Sequence, residues 1–196
     1  MTIYLENICK QYNGVSVLDN VNARIEWDGC YAIIGSKGCG KSTLLRIFMG
    51  LETPDSGGVH KMGDYKYPSL RSAYVPQECS LLLKKNALKN VKKAYRRAGK
   101  ADIEEELSRF IEKDRLTIPT GELTYAEQRF VMIVSALFTP ADFIVLDEPF
   151  EGMNEAEKQK ALDYILDKRG SRPLLIAGCS AEGLDFAKVI NLPPAV

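Results

Sequence analysis

The sequence predicts an α/β fold: a mostly parallel sheet, a small antiparallel β subdomain and an inserted helical lobe. Three observations predict it. Short apolar runs of strand length alternate with segments whose apolar residues recur at helical spacing. A glycine-rich turn, Gly35 to Thr43, separates one such buried run from an apolar-faced segment. Residues 78 to about 138 hold helical patterns and no convincing strand. The 196 residues suit a single domain, 1–196, with that helical lobe inserted in its core.

The elements follow in order. Residues 3–8, where Ile3 and Leu5 alternate, and 21–27 are strand-like with little helix near them, and so predict the antiparallel layer. Runs at 30–34, 72–75, 143–147, 173–177 and 188–192 predict the larger sheet. TLLRIFMG after the glycine-rich turn reads as a helix. So do three further sets: Ile103, Leu107, Phe110 and Ile111; Val131, Val134, Leu137 and Phe138; Ala161, Leu162, Ile165 and Leu166.

Composition narrows the function classes. The chain is 45% hydrophobic, enough for a proper core, and its 26 basic residues match its 26 acidic ones. Zero net charge weakens any bulk electrostatic argument for nucleic-acid or membrane binding. The five cysteines, Cys9, Cys30, Cys39, Cys79 and Cys179, form no CxxC pair and read as small hydrophobes in a reducing compartment. His60 is the only histidine and has no nearby cysteine, so a zinc site is not expected. The runs YAII, FIVL and PLLIA fall far short of the ~20 residues a membrane span needs. No leader is visible, so a cytoplasmic chain is expected, one still able to dock on a membrane protein.

Gly35-x4-Gly40-Lys41-Ser42 matches the phosphate-binding P-loop pattern in full, with a buried strand before it and a helix after it. Glycines let the backbone wrap close to phosphate, and the helix N-terminus adds its partial positive charge. The loop residues Gly35, Ser36, Lys37, Gly38, Cys39, Gly40, Lys41, Ser42 and Thr43 are therefore expected to hold a nucleoside triphosphate. Lys41 neutralises the outer phosphates, and Ser42 is a candidate Mg2+ ligand. In ADFIVLDEPF a buried strand ends in Asp147 and Glu148. Asp147 is placed for Mg2+, and Glu148 for polarising an attacking water. The core is thus expected to be a P-loop NTPase core.

Together these residues resemble the ATP-binding subunit of an ABC transporter, over about residues 2 to 192. The resemblance implies that Tyr12, in YNGVSVLDNVNARIEWDG, stacks on adenine. It implies that Gln77, in AYVPQE, reaches the Mg2+ and the attacking water, and that its loop joins the core to the helical lobe. Asn90 falls at a usual asparagine, and LDEPFEGMNE looks like the Walker B and D-loop region. QECSLL, GCGKS and DEPF, with Phe150 in place of the commoner threonine, are similar to nitrate-, sulfonate- and taurine-type import subunits. The implied partners are a transporter membrane subunit and a second ATP-binding subunit, with the chain peripheral on the inner face of the membrane.

Three positions depart from the family pattern. The signature motif aligns with Leu123 to Val131, where Tyr125 and Ala126 replace its two glycines. Glycine there permits close backbone approach to the opposite subunit's γ-phosphate, which a tyrosine ring crowds. Asn154 stands at the D-loop aspartate, and Cys179 at the switch histidine. A thiol is a weak donor and cannot act as an imidazolium. Losing one preorganised donor to transition-state charge costs ~3 kcal/mol, or ~10²-fold in rate. The expectation is MgATP binding with slow hydrolysis that drives transport. The alternative is a hydrolysis-poor regulatory subunit pairing with a competent paralogue.

One charged feature stands apart. Lys84, Lys85, Lys89, Lys92, Lys93, Arg96, Arg97 and Lys100 lie close together, and ADIEEEL follows. A solvated face balanced by its acidic neighbour is the plain reading. Docking near anionic headgroups is a second. Nucleic-acid binding is not expected, because only Tyr95 and Phe110 are interleaved.

Overall fold

The computed structural model describes residues 2–62 and 70–194. The chain forms two compact units: residues 1–72, 141–148 and 171–196 make one, and residues 73–140 and 149–170 the other.

The first unit holds two sheets. β1 (Thr2–Tyr12) and β2 (Val15–Glu26) are antiparallel, and Ile3 faces Ile25 across the ladder. Asn13 and Gly14 join them with φ of 51° and 83°, the left-handed pair that a tight hairpin requires. The sequence placed the second strand at 21–27. It begins earlier, at Val15, because register shifts around Lys10 interrupt the simple alternation. β4 (Ser56–Met62) pairs antiparallel with the other side of β1. SGGVHKM carries too few apolar residues to read as a strand, and its residues are exposed or half-buried. It is held by pairing rather than by burying a face. Ile3, Leu5, Ile8, Leu18, Val21 and Ile25 form the buried side of this layer.

The larger sheet of this unit runs through four parallel-paired strands in the order β6 (Phe143–Asp147), β7 (Leu174–Gly178), β3 (Cys30–Ile34) and β8 (Lys188–Asn191). Every residue of β6 is buried, as suits a strand covered on both faces. α1 (Lys41–Phe48) packs on this sheet, with Phe48 edge-on to Phe143 at 5.3 Å between ring centres. This arrangement puts the end of β3, the start of α1 and the end of β6 in one unit.

The second unit is helical after the short strand β5 (Ser72–Val75). α2 (Ala87–Ala94), α3 (Lys100–Leu107) and α5 (Glu155–Arg169) surround α4 (Tyr125–Phe138). Val131, Ile133 and Val134 of α4 have no exposure. Phe110 stacks on Phe130 at 4.4 Å and meets Tyr164 edge-on at 5.0 Å. Asn90 is buried and holds the turn before α2: it accepts from Leu82 N at 2.7 Å and donates to Asn86 O at 3.1 Å. Among the described residues no helix is long and apolar enough to cross a membrane.

Candidate active site

The glycine-rich turn closes around its own lysine. Gly40 caps α1 with φ of 92°, and a Cβ there would lie 2.4 Å from the Val17 carbonyl oxygen. Both the left-handed backbone and the contact exclude other residues. At Gly35 a Cβ would lie 2.4 Å from Cys39 Sγ. With glycine at both positions the turn stays tight and the start of α1 stays open. Lys41 is 6% exposed, and its ammonium donates to Gly35 O at 2.8 Å and Ser36 O at 3.0 Å.

The same ammonium meets Glu148 Oε1 at 3.2 Å and Cys179 Sγ at 3.8 Å. Burial disfavours the Lys41 charge, but the hydrogen bond and negative charge of Glu148 outweigh it and raise the ammonium's pKa. Glu148 takes a left-handed backbone, φ 46°, just past the buried end of β6, and its N–H donates to Ala177 O at 3.0 Å. That turn directs its carboxylate to Lys41. Cys179 follows β7 and donates its thiol to Glu148 Oε1 at 3.5 Å. Burial raises its pKa, and the Glu148 charge adds to the shift, so the sulfur keeps its proton at neutral pH. Three residues distant in sequence thus share one corner of the first unit.

The remaining expected residues stand around or apart from this cluster. Asp147 is 1% exposed at the end of β6. Ser42 is half-buried and Thr43 buried on the first turn of α1, while Ser36, Lys37 and Gly38 are exposed on the loop. Cys39 is buried. Tyr12 ends β1, 39% exposed, and its hydroxyl donates to Glu52. Glu52 also accepts from Arg46 Nε at 2.9 Å, and Lys10 lies 5.6 Å from the Tyr12 ring centre. Two hydrogen bonds, from Tyr12 and Arg46, overcome burial and lower the Glu52 pKa.

Gln77 belongs to the second unit, where its amide donates to Glu151 at 3.4 Å. Beside it lies a residue that sequence reasoning passed over. Arg129 is 1% exposed, and its guanidinium donates to Pro76 O at 3.0 Å, Gln77 O at 2.9 Å and Pro149 O at 3.4 Å. It fixes the backbone that carries Gln77. A basic residue within an otherwise apolar helix run, IVSAL after RFVM, was the available signal.

The segment from Thr124 to Glu127 and Asn154 have local roles. Thr124 caps α4 in a full capping box with Glu127. Glu127 also takes a bidentate pair from Arg115, at 2.9 and 2.7 Å, which lowers its pKa. Tyr125, 46% exposed, lays its ring over Gly152, where a Cβ would come 2.5 Å from Cδ1 of the ring. Ala126 is buried. Asn154 caps α5 in a second capping box, with Glu157. Asparagine caps as well as aspartate, so this helix start does not need a charged residue. The signal was legible as Asn154-x-x-Glu157.

A triphosphate fits the turn. The glycine backbone, the helix start and the Lys41 cation together form an anion cradle. Mg2+ fits the donor set. The Ser42 hydroxyl and the Asp147 carboxylate are hard oxygens, and Mg2+ takes few protein ligands, completing its shell from water and phosphate. It therefore does not need a cluster of three His, Cys, Asp or Glu, of which there is none among the described residues.

Comparison with known proteins agrees with this geometry. The ABC transporter family profile matches residues 18–151. The spermidine/putrescine import ATP-binding protein PotA of Fusobacterium nucleatum is 29% identical over 94% of the chain and 53% of its own length. The zinc import ATP-binding protein ZnuC 1 of Aliivibrio fischeri is 33% identical over 76% of the chain and 57% of its own length. The chain spans about half the length of these curated relatives. Among solved structures, the dimeric ATP-binding cassette MJ0796 with ADP and Pi superposes with a TM-score of 0.82 at 22% identity, covering 97% of this chain and 94% of that one. A putative ABC transporter ATP-binding protein from Pyrococcus furiosus gives 0.83 at 22% identity, covering 98% of each. With the family profile covering both the phosphate turn and the Asp147–Glu148 strand end, the chain belongs to the ABC transporter family.

Proposed function

We propose that the chain binds MgATP and hydrolyses it slowly, as the ATP-binding subunit of a transporter. One observation carries the reading: a buried lysine at a glycine turn sits 3.2 Å from a carboxylate at a strand end. In this reading the 35–43 loop cradles the phosphates, Lys41 neutralises them and Tyr12 lies against adenine. Ser42 and Asp147, with Gln77 as a further candidate, would hold Mg2+, which would supply charge neutralisation on the outer phosphates. Glu148 orients and polarises the attacking water, with Gln77 assisting. Cys179 gives the transferring phosphoryl group only a weak neutral donor, so turnover is slow.

The chain pairs with a second ATP-binding subunit and drives a membrane subunit, held at the inner face of the membrane. Relatives whose names describe import ATP-binding proteins support the transport role.

A second reading is a regulatory subunit that binds ATP and hydrolyses little. Tyr125 over Gly152 and Cys179 beside Glu148 favour it. Steady-state phosphate release with Mg2+ and ATP, against Glu148→Gln as the blank, separates the two. Release above the blank makes the chain a working ATPase. ATP binding without release favours the regulatory reading, and absence of binding rejects both.

A further inference from the structure

The basic run at 84–100 lies outside the phosphate turn, and Lys92 of the run donates its ammonium to Ala98 O. Its eight cations, Lys84 to Lys100, are all exposed. None makes an ion pair among the described residues. Of the acidic residues that follow, Glu106 is held elsewhere, by Arg109 at 3.0 Å and Lys168 at 2.7 Å, while Asp102, Glu104 and Glu105 are exposed. α2 buries Ala87, Asn90 and Val91 and turns Lys89, Lys92 and Lys93 outward.

Apolar surface adjoins these charges. Leu82 and Leu83 are 41% and 50% exposed immediately before Lys84. Asn90 pins their backbone, accepting from Leu82 N at 2.7 Å and donating to Leu82 O at 3.3 Å, and Gly121 N donates to Leu83 O at 3.0 Å. Two leucines are therefore held next to the lysines. A cleft of about 350 Å³ lies between α2 and α3, lined by Leu88 and Ile103 together with Lys89, Lys92 and Lys100.

We propose that this face of the second unit binds an anionic lipid surface directly. Phosphate headgroups meet the cations, and Leu82 and Leu83 enter the headgroup boundary. Clustered Lys and Arg beside exposed apolar side chains are the chemistry of an interfacial anchor. Tyr95 is the only aromatic within the run and is half-buried, so no base-stacking platform accompanies the charge. The inference needs no ATP turnover and stands apart from the reading of the phosphate turn.

Flotation of the purified chain with vesicles tests it. One set is phosphatidylcholine alone, and the other contains about one third phosphatidylglycerol. The chain is expected on the anionic vesicles only. Raising salt from about 0.1 M to about 1 M shortens screening from about 10 Å to about 3 Å and is expected to release it. Combining Lys84→Gln, Lys85→Gln, Lys89→Gln and Lys93→Gln is expected to lower partitioning at least about a hundredfold. Arginine at the same four positions should restore it, and Lys61→Gln with Lys113→Gln should leave it unchanged. ATP binding measured on each variant separates a lost surface from a lost fold, and loss of ATP binding alone would indict the phosphate site instead. Equal partitioning onto neutral vesicles, or retention by the four-Gln variant, would overturn the proposal. So would duplex DNA that displaces the chain from anionic vesicles and binds it more tightly.

Discussion

Lys41 holds its ammonium against two loop carbonyls and one carboxylate, so its position is fixed by three partners that are themselves fixed. In the proposed site this cation faces the outer phosphates, where a charge-assisted hydrogen bond contributes about 1.5–3 kcal/mol. Lys41→Ala is therefore expected to weaken ATP binding at least about tenfold to a hundredfold, read by titration with a fluorescent ATP analogue. Unchanged affinity would remove the loop from the site. Cys179 reaches the same corner with a proton it does not give up at neutral pH. Cys179→His is expected to raise phosphate release, by up to about a hundredfold if the imidazole reaches the transferring group. An unchanged rate would place the limitation elsewhere, with Tyr125 the next residue to replace. The loop, Asp147 and Glu148 were legible in sequence because their spacing is local. That Lys41, Glu148 and Cys179 meet was legible only through the family resemblance, because it depends on the order of parallel strands.

At the scale of elements, α4 carries more than its apolar face suggests. Arg129 carried a signal, a basic residue in an apolar helix run, but only tertiary structure shows the three carbonyls waiting for it. Arg129→Met strands those carbonyls, at a cost of about 3 kcal/mol or more. A fall in Tm of about 6–12 °C is expected by calorimetry, and a shift under about 2 °C would show that the clamp is dispensable. The start of α4 has its own pH signature. Arg115 depresses the Glu127 pKa below 4.5. Its stabilisation is present above pH 4.5 and is lost as pH falls through the lower, folded-state value. Urea midpoints of the native chain should therefore drop more steeply below about pH 4.5 than those of Glu127→Gln. Parallel curves would show that the pair contributes nothing. Strands with continuous apolar runs were read correctly, whereas β4 was missed because an edge strand held by pairing shows no hydrophobic alternation.

At the scale of the molecule, the chain folds as two discontinuous units, and the proposed function needs a second copy or a paralogue beside them. Glu148→Gln with ATP is expected to sediment at twice the monomer mass if like pairs with like. A monomer at every concentration would point to an unlike partner, as the regulatory reading requires. The basic run has a different consequence for the whole. It holds eight of the 26 basic residues and no acidic one, so the rest of the chain carries eight more acids than bases. A protein neutral by count thus carries a cationic pole on α2 and its flanks, with the offsetting acids elsewhere along the chain. It should drift little in a uniform electric field yet be retained on a sulfonate resin, because a resin samples one pole at a time while a field sums both.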